Sequence, residues 1–414
     1  MKKYFLAVAS FFIYSHISLG QVYPGQMDST FVPVRSHHYD PELTFDFCMN
    51  EPAWSNQAGI HSAFGSTDRL YFRKEVPVNH DNDLSSSYST TVWRGERANA
   101  QILVWSSEAL EQVRVSTQDL RSAEGNIIPK DRITFELVRY VLSNYPYAEK
   151  KAICGESPYK SGFLMPDRFE TLDRFDLPSQ TTRPVWMMVD VPRGTVPGTY
   201  KGQVEVRAKG KAPQLLNLEI VVQNQLLPYP KDWKYRLDLW QNPWAVAWYN
   251  HVEPWSPEHK MLLKQHLKHY ADAGGTYITT YGVHSPWSDN SYMIEGGMIE
   301  WIKKADGTWA FDYKIFDEYV ELAMECGIDE AITLYTPIPW GFRHRYKDEA
   351  TGDYSYINWA PSSEEFKKMW NIFLTDFKFH LEAKSWLDIT YIGINENPME
   401  ETLAAINVVR NHDK

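Results

Sequence analysis

Beyond Pro230 the sequence changes rhythm, and that change constrains the fold more than any other feature: short apolar runs alternate with helical ones. Lys234 to Leu239 (KYRLDL) reads as a strand that runs into Trp240-Gln241-Asn242-Pro243. A helix follows over Ser256 to Ala273, with Ser256 as N-cap, Pro257 at the first position and Gly274-Gly275 at the close. Thr276 to Val283 (TYITTYGV) is a second strand ending in His284-Ser285-Pro286-Trp287, and Lys314 to Cys326 is the next helix, closed by Gly327. Between them MIEWIKKADGTWAFDY reads as a hairpin turning at Asp306-Gly307. Glu330 to Tyr335 is a third strand, ending in Thr336-Pro337-Ile338-Pro339-Trp340, and Ser363 to Lys384 is its helix. The last unit is DITYIGINENPMEE at 388–401, leading into the helical run ETLAAINVVRN. Successive βα units of this kind predict a parallel sheet with right-handed crossovers.

Each strand ends in aromatic, polar and Pro residues, as the mouth of a (β/α)8 barrel does. Residues 231–414 are fewer than the ~250 that such a barrel takes, so this half is expected to be an incomplete TIM-type barrel of about four βα units, truncated at its C-terminal side. Asn395 and Glu396 close the fourth strand, where an amide beside a carboxylate is an acid/base candidate. The same pair also suits a structural role, Asn395 opening the turn and Glu396 facing the helix start. Trp240, Gln241, His284, Trp287, Tyr335 and Trp340 stand at the other strand ends. Their rings would stack on a sugar or its aglycone, and His284 and Gln241 would bond hydroxyls; packing of the barrel mouth explains the same aromatics. Arg343 and Arg345 read as surface pairs.

Residues 21–228 read as an antiparallel β-sandwich. Ala100 to Ser106, Gln112 to Ser116, Arg132 to Val141 and Val185 to Val191 are strand-like, while Tyr200 to Ala208 and Leu215 to Val222 form a hairpin over Lys209 to Pro213. Stretches 49–95 and 142–183 read as long and irregular. Ser36-His37-His38-Tyr39-Asp40 fits no zinc spacing and reads as a solvated loop, and Asn79 to Asp83 lacks the glycine and distal Glu of a calcium loop. Leu226-Leu227-Pro228-Tyr229-Pro230 is the linker, stiffened by its prolines.

A net charge of −11 argues against nucleic acid as a partner. The 16 Trp, 25 Tyr and 19 Phe tilt the reading toward carbohydrate, because flat rings stack on the apolar faces of sugars. Residues 1–20 read as an export signal: Lys2 and Lys3, an apolar run over Tyr4 to Tyr14, and Ser18-Leu19-Gly20 before a cut ahead of Gln21. That run is too short to span a membrane, and no later apolar segment is long enough, so a periplasmic or secreted protein is expected. Cys48, Cys154 and Cys326 are an odd number and define no disulfide framework, although a Cys48–Cys154 pair suits an oxidising compartment. No Ser-His-Asp set, phosphate loop or metal-ligand spacing competes with Asn395-Glu396, and no cofactor is expected.

Several of these stretches together resemble glycoside hydrolase family 123. They are LDLWQNPWAVAWY at 237–249, MIEWIKKADGTWAFDY at 298–313, YKDEATGDY at 346–354 and YIGINENPMEETLAAI at 391–406. In the first half, ERANAQILVW at 96–105 and VPGTYKGQVEV at 196–206 resemble the same family's N-terminal β-sandwich. The resemblance implies a β-N-acetylgalactosaminidase acting on a glycan or glycoconjugate that bears β-GalNAc. It implies a retaining, substrate-assisted route in which the substrate's 2-acetamido oxygen attacks the anomeric carbon, an exception to the two-carboxylate arrangement. By that match Glu396 is the general acid/base. Position 395 is Asn where the family carries Asp, and position 397 is Asn where it carries Arg. Asn395 then orients the acetamide without a charge to balance the oxazolinium ion, which leaves a catalytically impaired or inactive glycan-binding relative as the alternative.

Overall fold

The computed structural model describes residues 51–78, 84–143, 163–286 and 296–412, with short strands at Met27–Asp28, Phe31–Pro33 and Glu42–Leu43. The export segment, the clusters at 36–40 and 79–83, Cys48, Cys154 and Trp287 lie outside the described residues. Cys326 is a buried free thiol. The chain divides into two compact units between Leu227 and Pro228.

The first unit is built on β1 (His61–Gly65), β2 (Ser87–Arg94), β3 (Arg97–Ser106), β4 (Leu110–Thr117), β5 (Ile133–Ser143), β6 (Phe163–Leu177), β7 (Thr181–Asp190), β8 (Gly198–Arg207) and β9 (Gln214–Leu226). Their hydrogen-bonded order is β1-β3-β7-β5-β6-β4-β8-β9-β2. The long strand β6 pairs with β5 along its first half and with β4 near its end, and its register against Phe31–Pro33 slips between Leu172 and Arg174. Ile102, Leu137 and Val185 from one side of β6 share a single buried cluster with Val204, Leu218 and Ile220 from the other. Two differences from the sequence reading stand out. Residues 163–177, expected to be irregular, form this strand; Pro166 and the charged pairs obscure its alternation. The sheet is not wholly antiparallel either, because β9 runs parallel to β2.

The second unit carries α1 (Pro243–Asn250), α2 (Pro257–Asp272), β10 (Tyr277–Tyr281), β11 (Glu300–Lys303), β12 (Trp309–Asp312), α3 (Lys314–Glu325), β13 (Ala331–Tyr335), β14 (Arg343–Asp348), β15 (Tyr354–Asn358), α4 (Glu364–Lys384), β16 (Thr390–Gly393) and α5 (Met399–His412). Strands β10, β13 and β16 form a parallel sheet in that order. Ser256 and Ser363 cap α2 and α4 through their hydroxyls, bonding the amides of His259 and Phe366.

The expected first strand is reduced to one parallel bridge, Leu237 to Gly275. The cause is Tyr270. Its hydroxyl lies 2.6 Å from Leu237 O and 2.8 Å from Tyr277 O, and accepts the Leu239 amide hydrogen at 3.2 Å, occupying groups that a ladder would use. The core gathers around Trp301, whose ring is stacked on Phe373 at 4.8 Å and meets Phe311 at 5.0 Å and Trp370 at 5.5 Å. Helix α4 faces it with Phe366, Met369, Trp370, Phe373, Leu374, Phe377 and Leu381, a stripe at helical spacing. Burying such a side chain is worth about 1.5–3 kcal/mol. A second sheet, β12-β11-β14-β15, was only half foreseen: β11 and β12 are the anticipated hairpin, while β14 and β15 were not assigned from the sequence. Period two hides there in RHRYKD, where His344 is buried while Arg343 is exposed.

Candidate active site

Parallel pairing sets Tyr335, the last residue of β13, opposite Gly393, the last of β16. The residues that follow therefore meet at the same sheet end. Asn395 is 4% exposed. Its Oδ1 accepts from the Tyr335 hydroxyl at 2.5 Å and from the Glu396 amide at 2.8 Å. Its own amide hydrogen goes to Thr336 Oγ1 at 3.1 Å, and Asn397 Nδ2 donates to Ile338 O at 3.2 Å. Because the Glu396 N–H can only donate, the atom facing it must be the amide oxygen, which fixes the orientation of Asn395. The opposite atom, Nδ2, is buried and has no partner among the described residues. Beside it Glu396 is exposed. Glu396 is not part of α5, whose first turn carries Glu400 and Glu401 as its acidic residues.

Trp240 lays its ring 4.9 Å from that of Tyr335 while remaining 54% exposed. Gln241 is fixed through its backbone, whose carbonyl accepts from the Tyr281 hydroxyl at 2.6 Å. Asp238, just before Trp240, accepts from Thr279 Oγ1 at 2.8 Å and from Thr333 Oγ1 at 3.1 Å, tying the missing strand to β10 and β13. Trp340 is 42% exposed and donates its amide hydrogen to Pro286 O at 3.1 Å. Tyr335 thus touches both Asn395 and Trp240, and His284 and Trp340 stand on the flanking loops.

Sequence reasoning missed a set around His284. Arg345 NH1 approaches His284 Nε2 at 3.4 Å, its guanidinium lies 4.2 Å over the Tyr354 ring, and Glu300 is 3.8 Å away. Tyr354 in turn donates to Glu300 at 3.0 Å. Arg345 does pair, with Glu300, but is less exposed than a surface pair would be; its side chain is 20% exposed. Arg343, by contrast, makes no ion pair among the described residues and stacks at 3.9 Å over Tyr356. Burial first, then Arg345 and Arg343, push the His284 imidazole down to about 4, so it is neutral near pH 7. An arginine cannot accept, so Nε2 carries the lone pair and Nδ1 the hydrogen. That Nδ1 is buried without a partner among the described residues. The alternation of Arg343, Arg345 and Lys347 was the available signal. Among the described residues no cluster of His, Cys, Asp and Glu is arranged to hold a metal, and no helix is long and apolar enough to cross a membrane.

Residues 240–414 match the model of the glycoside hydrolase 123 catalytic domain, and residues 64–208 match that of the glycoside hydrolase 123 N-terminal domain. Among solved structures the chain is similar to a family 123 glycoside hydrolase from Clostridium perfringens, described for glycolipid glycan hydrolysis. The identity is 26%, with 86% of this chain and 62% of that one covered and a TM-score of 0.76. This chain thus spans 62% of the length of the clostridial enzyme. A family 39 glycoside hydrolase from Bacteroides cellulosilyticus WH2 follows at 14% identity, with 73% of this chain and 46% of that one covered and a TM-score of 0.25. A Bacteroides ovatus GH5 xyloglucanase stands at 11% identity, with 78% and 60% covered and a TM-score of 0.21. At those scores neither bears on function. No curated protein sequence matches the chain. Two family models in the family's order, with one solved member superposing on most of the residues, place this chain in glycoside hydrolase family 123.

Proposed function

We propose that this protein is a glycosidase for β-linked N-acetylgalactosamine, working by the retaining, substrate-assisted route. The observation that carries the reading is the Asn395–Glu396 pair at the end of β16, buried amide beside exposed carboxylate. Glu396 protonates the leaving glycosidic oxygen as the substrate's acetamide oxygen closes on the anomeric carbon, then takes a proton from the water that opens the oxazoline. Trp240 and Trp340 supply ring faces for the sugar; Tyr335, expected to stack on it too, is only 1% exposed and instead holds Asn395 from beneath. Glycolipid glycan hydrolysis by the clostridial relative supports a glycan as substrate. The parallel strands read as part of a (β/α)8 barrel, and residues 1–20 as a signal that exports the protein to the periplasm or beyond.

One observation favours a second reading, a glycan-binding relative with little turnover. Asn395 Oδ1 is fully used by Tyr335 and Glu396, so the face left for ligand is the donor Nδ2. A donor can hold the acetamide carbonyl or a hydroxyl, but it cannot draw the acetamide hydrogen away or balance positive charge. Losing such a preorganised partner typically slows a reaction on the order of a hundred- to a thousand-fold.

The test is incubation of the protein and of Glu396→Gln with an aryl β-GalNAc, following anomeric configuration by NMR, alongside binding of a GalNAc-thiazoline. Release with retention that disappears in Glu396→Gln supports the first reading. Thiazoline binding without release supports the second. Neither release nor binding rejects both.

A further inference from the structure

We infer that the outward face of the sheet β12-β11-β14-β15 is a second carbohydrate subsite, and that it takes a sugar bearing an anionic group. Strand alternation sets Arg343, Arg345 and Lys347 on one side of β14, with Tyr354 and Tyr356 on the same side of β15, while His344 and Tyr346 turn to Trp370 and Trp309. The guanidinium groups of Arg343 and Arg345 lie over the rings of Tyr356 and Tyr354, which holds them extended. Tyr354 and Tyr356 are half exposed.

Cations outnumber carboxylates on this face: Arg343, Arg345 and Lys347 stand against Glu300 and, by register, Asp312. Arg343 and Lys347 have no carboxylate within ion-pair distance among the described residues, and Arg345 is only partly balanced by Glu300 at 3.8 Å. This basic row stands out in a protein of net charge −11. The buried polar atoms along the same wall that lack partners, His284 Nδ1 and Arg345 Nε, are both hydrogen-bond donors. Buried donors left unpaired are costly, at about 1–3 kcal/mol each. Rings plus donors plus free cations fit an anionic sugar better than a neutral one or a peptide.

The face also has a fixed connection to the candidate active site. The loop that leads from Tyr335 into β14 receives the Asn397 side chain at Ile338, and Trp340 bonds Pro286, two residues beyond His284. The loops carrying Asn397, Trp340 and His284 are thus joined at one end of the parallel sheet. The inference rests on the glycan-site reading above and adds the charge of the neighbouring sugar.

The experiment measures binding by calorimetry in the full chain carrying Glu396→Gln, which keeps the ligand intact. The probes are GalNAc and three β-GalNAc-terminated disaccharides whose second sugar is neutral, sulfated or a uronic acid. At least one charged disaccharide is expected to bind on the order of tenfold tighter than the neutral one at low salt, as several exposed charge contacts allow, with the gap closing at high salt. Whichever charged probe shows the gap identifies the group. The double change Arg343→Ala and Lys347→Ala should then bind charged and neutral probes alike, with an unchanged melting temperature. Equal binding of all disaccharides while GalNAc still binds, or a preference that survives the double change, overturns the subsite alone. No binding of GalNAc or of any disaccharide overturns this inference together with the glycan-site reading.

Discussion

Tyr335 donates its hydroxyl hydrogen to Asn395 Oδ1 across 2.5 Å, and with the Glu396 amide it decides which end of that amide meets a ligand. Tyr335→Phe leaves the oxygen with one donor and frees the amide to turn. Thiazoline affinity should fall about tenfold and stability by about 1–2 kcal/mol, the usual worth of a buried hydrogen bond. Calorimetry and denaturant melts would show it; unchanged affinity would mean that Asn395 is held some other way.

Asn395→Asp is expected to raise activity. Tyr335 and Glu396 already aim two donors at one oxygen, so a carboxylate would be held without rearrangement. Its second oxygen would replace the unpartnered Nδ2 and accept the acetamide hydrogen. Release from an aryl β-GalNAc should rise on the order of a hundredfold over the natural protein. A variant no faster than its parent, yet folded and able to bind, would remove the acetamide from the mechanism.

Stability should fall on acidification. His344 donates through Nδ1 to Phe342 O and accepts the Trp370 indole hydrogen on Nε2, so a second ring proton would face a donor. Burial is the first cause that holds its pKa down to about 4, against 6.5 in the unfolded chain. Between those values the unfolded state binds more protons, so stability drops as pH falls from about 6.5 toward 4 and is flat above. His284, His259 and His266 are shifted the same way. A melting-temperature series on His344→Gln should therefore show a shallower decline than the wild type, and an identical decline would contradict the assignment.

Trp301 is the ring against which α4 and the β11–β12 hairpin pack, and its indole hydrogen goes to Gly282 O at 2.9 Å. Trp301→Ala should destabilise by about 3–5 kcal/mol. A loss under about 1 kcal/mol, measured by urea unfolding, would show that the surrounding rings close the space unaided.

Regular periodicity made the second unit legible, whereas side-chain chemistry concealed its exceptions. Ser256, Pro257 and the glycines after α2 announce that helix through capping that any such sequence shares. The strand at 234–239 fails for a reason no local pattern carries: the hydroxyl of Tyr270, more than thirty residues on, intercepts its backbone groups. Helix α1 was hidden because its aromatic sequence gives no amphipathic stripe; its start is set by the Asn242 side chain, which accepts from Ala245 N–H. The position of Asn395 and Glu396 could be read from strand order, but the direction of the amide could not, since it depends on a hydroxyl sixty residues away. Arg345 was misjudged because a charged residue on a short polar strand looks solvated until its partners are known.

In β14 His344 is buried and Tyr346 packs on Trp309, while Arg343, Arg345 and Lys347 lie on the other face. The two sets answer to separate demands, one to the fold and one to whatever lies against the wall. Arg343 and Lys347, both exposed, can therefore be replaced with little effect on how the polypeptide holds together. The outer surface of that hairpin can thus be rewritten without disturbing the rings of Trp309 and Trp370 beneath it.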